Sequence, residues 1–165
     1  MIVTMGEWCF DVNVPLNMEI SAFQANDHCT CGYCRNYYKT VDAAYPSLRA
    51  FLAKFGIDIE GPDELSPFEP TIYEASYIIN GKILRGSKQN IYVDGVPVSV
   101  VRSCDADMDT ERPEPHFVLV IGLMELPWQL DEPQDQVISP ANDTSYMERM
   151  QNKLLKRIQN DSLHS

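Results

Sequence analysis

Apolar and polar residues alternate from Trp8 to Val14, with Trp8, Phe10, Val12 and Val14 on one side and Cys9, Asp11 and Asn13 on the other. A period of two is that of a strand with one buried face. Pro15-Leu16-Asn17 then reads as a turn, and Met18 to Phe23 as a second strand pairing with the first. The period changes further on. Tyr37, Val41, Ala44, Leu48, Phe51, Leu52 and Phe55 recur at helical spacing and form one apolar face. Pro46 interrupts that face, which predicts a kink or two helices, the second starting at Pro46. Gly56 stands where a left-handed cap would stop the helix and fold Ile57 back onto its last turn.

Acidic residues and prolines dominate Asp58 to Pro70, which reads as a solvated connection. Strand candidates follow at Thr71 to Ile79, Lys82 to Arg85, Asn90 to Val93, Val96 to Arg102 and His116 to Met124. Asn80-Gly81 and Asp94-Gly95 tolerate positive φ at both central positions of a tight turn, so each is expected to close a hairpin. Pro97 has no amide to donate and belongs on an edge or at a strand start. Ser103 to Pro115 reads as an acidic loop and Pro127 to Pro140 as an irregular one. Ser145 and Glu148 have capping-box spacing, and Tyr146, Met150, Leu154 and Ile158 trace a helical stripe. The order β, helix, a run of strands, helix favours an α+β fold with an antiparallel sheet over a βαβ array. Residues 1–140 are expected to form one α+β domain, and residues 141–165 a C-terminal amphipathic helical extension.

Charge narrows the partners. A net charge of −11 opposes general binding to nucleic acid or to an anionic membrane. No apolar run approaches the roughly 18 residues of a membrane span. Met1 to Phe10 has neither the basic start nor the apolar run of a signal peptide, so the expected location is cytoplasmic. In that reducing setting an odd set of 5 cysteines reads as thiols or ligands and not as a disulfide framework. Arg149, Lys153, Lys156 and Arg157 make the C-terminal segment locally basic. That segment is expected to clamp the acidic body in cis, or to dock on an acidic partner or a second copy of the chain.

Three of the cysteines lie close together, in Asp27-His28-Cys29-Thr30-Cys31-Gly32-Tyr33-Cys34. The Cys31/Cys34 spacing lets both sulfurs face one ion across a tight turn, with Gly32 easing the backbone. Cys29 and His28 are the nearest further ligands, so the candidate zinc site is Cys29, Cys31, Cys34 and His28. Cys104 or His116, distant in sequence, are the other candidates for a fourth ligand. A second reading makes Cys31 and Cys34 a dithiol redox centre, because a helix N-terminus stabilises thiolate. Ile20-Ser21-Ala22-Phe23 resembles the strand entering a thioredoxin-like site, and Val96-Pro97 would stand for its cis-proline segment. The strand-rich second half and the extra thiol at Cys29 fit that fold poorly. A third reading leaves the cysteines as ordinary residues at a helix start, and the protein as an interaction module.

Cys31-Gly32-Tyr33-Cys34-Arg35-Asn36-Tyr37-Tyr38, with Phe51-Leu52, Phe55-Gly56-Ile57-Asp58 and Pro62-Asp63-Glu64, resembles a group of uncharacterised bacterial proteins. These share a Cys-x-x-Cys-Arg-Asn-aromatic start and a Gly-Ile-Asp helix exit. Leu126-Pro127-Trp128 and Asp131-Glu132-Pro133 extend the similarity, which runs from Cys29 to Pro133. The resemblance implies one domain and a cytoplasmic home, and carries no activity with it.

Other candidates have plainer explanations. Asp105 to Glu111 alternates carboxylates like a calcium loop, but Thr110 and His116 replace the glycine and glutamate an EF-hand needs. His116 is a candidate base or ligand, or simply a strand-end residue. Tyr33, Tyr37, Tyr38, Tyr45, Tyr73, Tyr77, Tyr92, Trp8 and Trp128 read mostly as core with polar tips reaching water. The sequence contains no Gly-x-Ser-x-Gly elbow, phosphate-binding glycine loop, dinucleotide fingerprint or His-Glu-x-x-His. No named reaction follows from it, and the enzyme reading rests on the thiols alone.

Overall fold

The computed structural model describes residues 1–25, 28–69, 71–108, 110–133 and 155. Its strands are β1 (Ile2–Met5), β2 (Trp8–Val12), β3 (Glu64–Glu69), β4 (Ile72–Arg85), β5 (Ile91–Val93), β6 (Val96–Arg102) and β7 (His116–Glu125). Three helices, α1 (Val14–Gln24), α2 (Gly32–Ala44) and α3 (Pro46–Ala53), lie between β2 and β3 in the chain. The strands form one seven-stranded sheet in the order β1-β2-β4-β7-β6-β5, with β3 also pairing β4. Every pairing is antiparallel, so the expected α+β architecture is present.

Residues two apart on a strand share a face, and here one face meets the helices. Phe10, Tyr73, Tyr77, Ile79, Phe117 and Leu119 pack in one cluster with Tyr37, Val41, Leu48, Leu52 and Phe55 from the helical side. The expected apolar face is therefore present except at Ala44, which is exposed, and it is shared by two helices that divide at Pro46. Gly56 has φ +77° and Ile57 donates its amide to the Leu52 carbonyl at 3.1 Å, as the cap reading predicts. Asp94 and Gly95, with φ 52° and 77°, close the β5–β6 hairpin. Pro97 lies in β6 just before Val98, where the pairing to β7 begins.

Three expectations are overturned. Pro15 to Phe23 is helix α1, not a turn followed by a strand. Asn13 caps it by accepting the Leu16 amide at 3.3 Å, and Pro15 falls in the first turn, where a missing amide costs nothing. Asp58 to Pro70 is not merely a solvated connection: Ile59 is buried, and Glu64–Glu69 forms β3, an edge position that tolerates Pro67.

The third correction is Asn80-Gly81, where β4 runs straight through without a hairpin. Its partner changes there instead, from β3 (to Ser76) to β2 (from Gly81). Side chains fill the interval: Asp63 accepts the Ile78 amide at 2.7 Å, and Asn17 accepts the Asn80 amide at 2.9 Å. Gly81 is needed because β2 comes so close that a Cβ would stand 2.5 Å from the Asp11 carbonyl oxygen. Gly81→Ala should therefore lower stability by about 2 kcal/mol in urea titration. A neutral result would mean that β2 can retreat freely.

The capping box at Ser145 and the stripe Tyr146, Met150, Leu154 and Ile158 lie outside the described residues, as do the segment's basic residues.

Candidate metal centre

The cysteine cluster is built at the start of α2. Cys31 is the residue before its first turn, in extended conformation, and its sulfur accepts the Cys34 amide at 3.4 Å. The Cys31 carbonyl accepts the Arg35 amide at 3.0 Å, so both cysteines are tied into the first turn. Arg35 reaches back to the Thr30 carbonyl at 2.8 Å and also pairs with the Glu132 carboxylate. One guanidinium thus holds the chain entering the helix and the segment that follows β7.

Asn36, fully buried one turn into α2, completes that clamp. Its amide group donates to the Tyr73 hydroxyl at 3.3 Å and the Pro127 carbonyl at 3.1 Å. Its oxygen accepts the Gln129 amide at 2.9 Å. Lys39 bonds the Gln129 carbonyl, and Trp128 sets its ring edgewise to Tyr33. The helix carrying Cys34 is therefore anchored to β4 and to the exit of β7.

The geometry brings Cys29, Cys31 and Cys34 together: their sulfurs all lie within 4.8 Å of one another. A tetrahedral zinc with bonds of about 2.3 Å places sulfurs roughly 3.8 Å apart, so only a small closure separates this arrangement from a metal-bound one. Cys29 is exposed, while Cys31 and Cys34 are half-buried. All three are free thiols, a donor set suited to zinc and other thiophilic ions.

The three sulfurs are electrically unequal. The Cys34 thiol donates to Cys31 and pulls its pKa down to about 5; the Cys34 amide and the Cys29 thiol add to this against the opposing effect of burial. Cys34 keeps the proton and is pushed well up by that hydrogen bond, by burial and by the neighbouring negative charge. Tyr38 is raised as well, by burial first and then by its electrostatic interaction with Cys34 and Cys29. Its hydroxyl stands at the cluster, a neighbour that spacing alone did not identify.

His28 is not part of the cysteine group in this structure. Its ring stacks on Tyr38 with centroids 4.9 Å apart, and its Nε2 faces Gly61. Cys104 and His116 are not brought to the cluster. Cys104 lies exposed in the short turn Ser103–Asp105, and His116 sits opposite Asn80 at the start of β7. The cluster adjoins Tyr73, and the strand from Tyr73 to Asn80 spans roughly 23 Å. His116 is held by its own loop, Nδ1 lying 3.4 Å from the Pro113 carbonyl oxygen and from the Glu114 carboxylate.

The thioredoxin-like comparison fails in its particulars. Helix α1 stands where a strand should enter the site, the sheet is antiparallel, and the Val96–Pro97 peptide is not among the cis bonds. Asp105 and Asp107 join no group able to hold a metal among the described residues. Tyr33, Tyr37, Tyr73 and Tyr77 are core residues, and the Tyr37 and Tyr77 hydroxyls both donate to the Ile59 carbonyl.

No family model matches the chain, and neither a curated protein nor a solved structure matches it. Among the described residues, no helix is long and apolar enough to cross a membrane.

Proposed function

We propose that this chain is a small zinc-binding protein in which Cys29, Cys31 and Cys34 hold the ion for a structural or partner-docking role. The observation that carries this reading is the convergence of three sulfurs within 4.8 Å at a braced helix start. Three thiolates leave one tetrahedral position. His28, next to Cys29 in the chain, is the proposed fourth ligand, and it must leave its stack on Tyr38 to bind. A cytoplasmic home belongs to the same reading, since a reducing compartment keeps such thiols free to ligate.

Purification under reducing, chelator-free conditions should yield near-stoichiometric zinc by elemental analysis, and the Cys31→Ser/Cys34→Ser variant should carry none. Metal-free wild-type protein from that preparation would sink the proposal. A dithiol redox role is the second reading, and one observation favours it: the Cys31 sulfur receives the Cys34 amide at the start of α2. In that case Cys31 is the attacking thiolate and Cys34 the resolving thiol.

A further inference from the structure

The sheet has a second face, turned away from the helices. Ile78, Val118 and Val120 form its apolar centre, and no residue of α1, α2 or α3 packs into that cluster. Ala106 and Met108, from the loop after β6, cover part of it. Burial extends toward β3: Val120 is 7%, Ser76 5%, Glu74 5% and Ser66 3% exposed. The register puts Ser66 opposite Glu74, and Ser76 opposite both Glu64 and Val120, so these residues share this face.

We infer that the C-terminal segment 145–158 docks on this second face as an amphipathic helix, its apolar stripe over Val118 and Val120. Leu155, which the structure does describe, has helical backbone and is 56% exposed. On a helix it lies about 100° round from Leu154, so an outward Leu155 is consistent with Leu154 and Met150 turning inward. Four of the chain's 13 basic residues fall between 149 and 157, against a protein whose net charge is −11. Reach is sufficient. The described chain extends to Pro133, beyond the stretch tied to α2, and residues 134–144 span up to about 36 Å when extended. Passing from the helical side to the far face crosses two layers, about 20 Å. A helix over 145–158 is about 21 Å long, enough to lie across β6, β7, β4 and β3 at roughly 4.8 Å per strand.

The test is methyl NMR on the full chain, with labelled Ile, Leu, Val and Met. Contacts should appear between the methyl groups of Met150, Leu154 or Ile158 and those of Ile78, Val118 or Val120. They should vanish in an isotope-filtered experiment on a mixture of labelled and unlabelled chains. In the Met150→Glu/Leu154→Glu variant, Val118 and Val120 should shift while Leu48 and Leu52, on the helical side, stay put. Random-coil shifts for the segment's methyls, with no contact to this face, would overturn the inference. Contacts seen only in the mixed sample would do so too, by assigning the face to a second copy.

Discussion

Replacing Arg112 by alanine is expected to remove about 3–5 kcal/mol of stability, because it strands a buried carboxylate. The guanidinium lies 2.9 Å from Asp63, and the two side chains are 10% and 8% exposed. It also donates to Asn80 at 3.2 Å and Gln24 at 3.3 Å, while Gln24 donates to Asp63 at 3.0 Å. The other Asp63 oxygen carries the Ile78 amide. The carboxylate thus stands in for a missing strand along the interval of β4 between its two partners. Surface pairs are worth at most about 1 kcal/mol, so the size of the loss distinguishes the two cases. Urea denaturation of Arg112→Ala, Asp63→Asn and the double variant closes the cycle. The double variant should cost less than the sum of the singles, since it leaves no unpaired charge. A loss under about 1 kcal/mol for Arg112→Ala would mean that water reaches the pair.

The two Asx-Gly dipeptides show what local pattern can and cannot carry. Asp94-Gly95 closes a hairpin because the strands on either side pair with each other. Asn80-Gly81 has the same turn chemistry but stays extended, because β2 and β3 share one edge of β4 and Gly81 admits the Asp11 backbone. That requirement comes from a contact some seventy positions away, invisible to a window of a few residues. Helix α1 was legible in principle: Asn13 followed by Pro15 is a helix start, but the short alternation of Met18 to Phe23 obscured it. The division at Pro46 and strand β7 were plain, since each rests on its own residues. The sulfur trio was equally legible from spacing. Its supports were not, since Asn36 meets Gln129, and Arg35 meets Glu132, only through the fold. His28 neighbours Cys29 in the chain and stacks on Tyr38 in this structure, a contact that spacing does not show.

Cys31→Ser should lower zinc affinity by about a hundredfold without unfolding the protein. Serine is among the favoured residues at a helix N-cap, so its hydroxyl can take over the Cys34 amide that the Cys31 sulfur accepts. What disappears is one soft ligand. Structural zinc sites contribute about 10–16 kcal/mol, roughly 3 kcal/mol for each of four ligands, and that is about two decades of affinity. Competition titration with a chromophoric chelator reads it directly, and a change under about threefold would exclude Cys31 as a ligand. The metal-free protein carries a second signature. With its pKa drawn down to about 5, Cys31 is thiolate throughout neutral pH. Its alkylation rate should be flat from about pH 6 upward, where an ordinary thiol of pKa about 8.5 still gains nearly tenfold per unit. Cys34, pushed the other way, should stay slow over the same range. Bound zinc should silence both, which separates the readings: protection at stoichiometric zinc fits a metal site, and rapid Cys31 chemistry unaffected by zinc fits a dithiol centre. An ordinary pH profile at Cys31 would remove the hydrogen-bonded thiolate on which the redox reading stands, leaving the convergence of the three sulfurs to support the metal site alone.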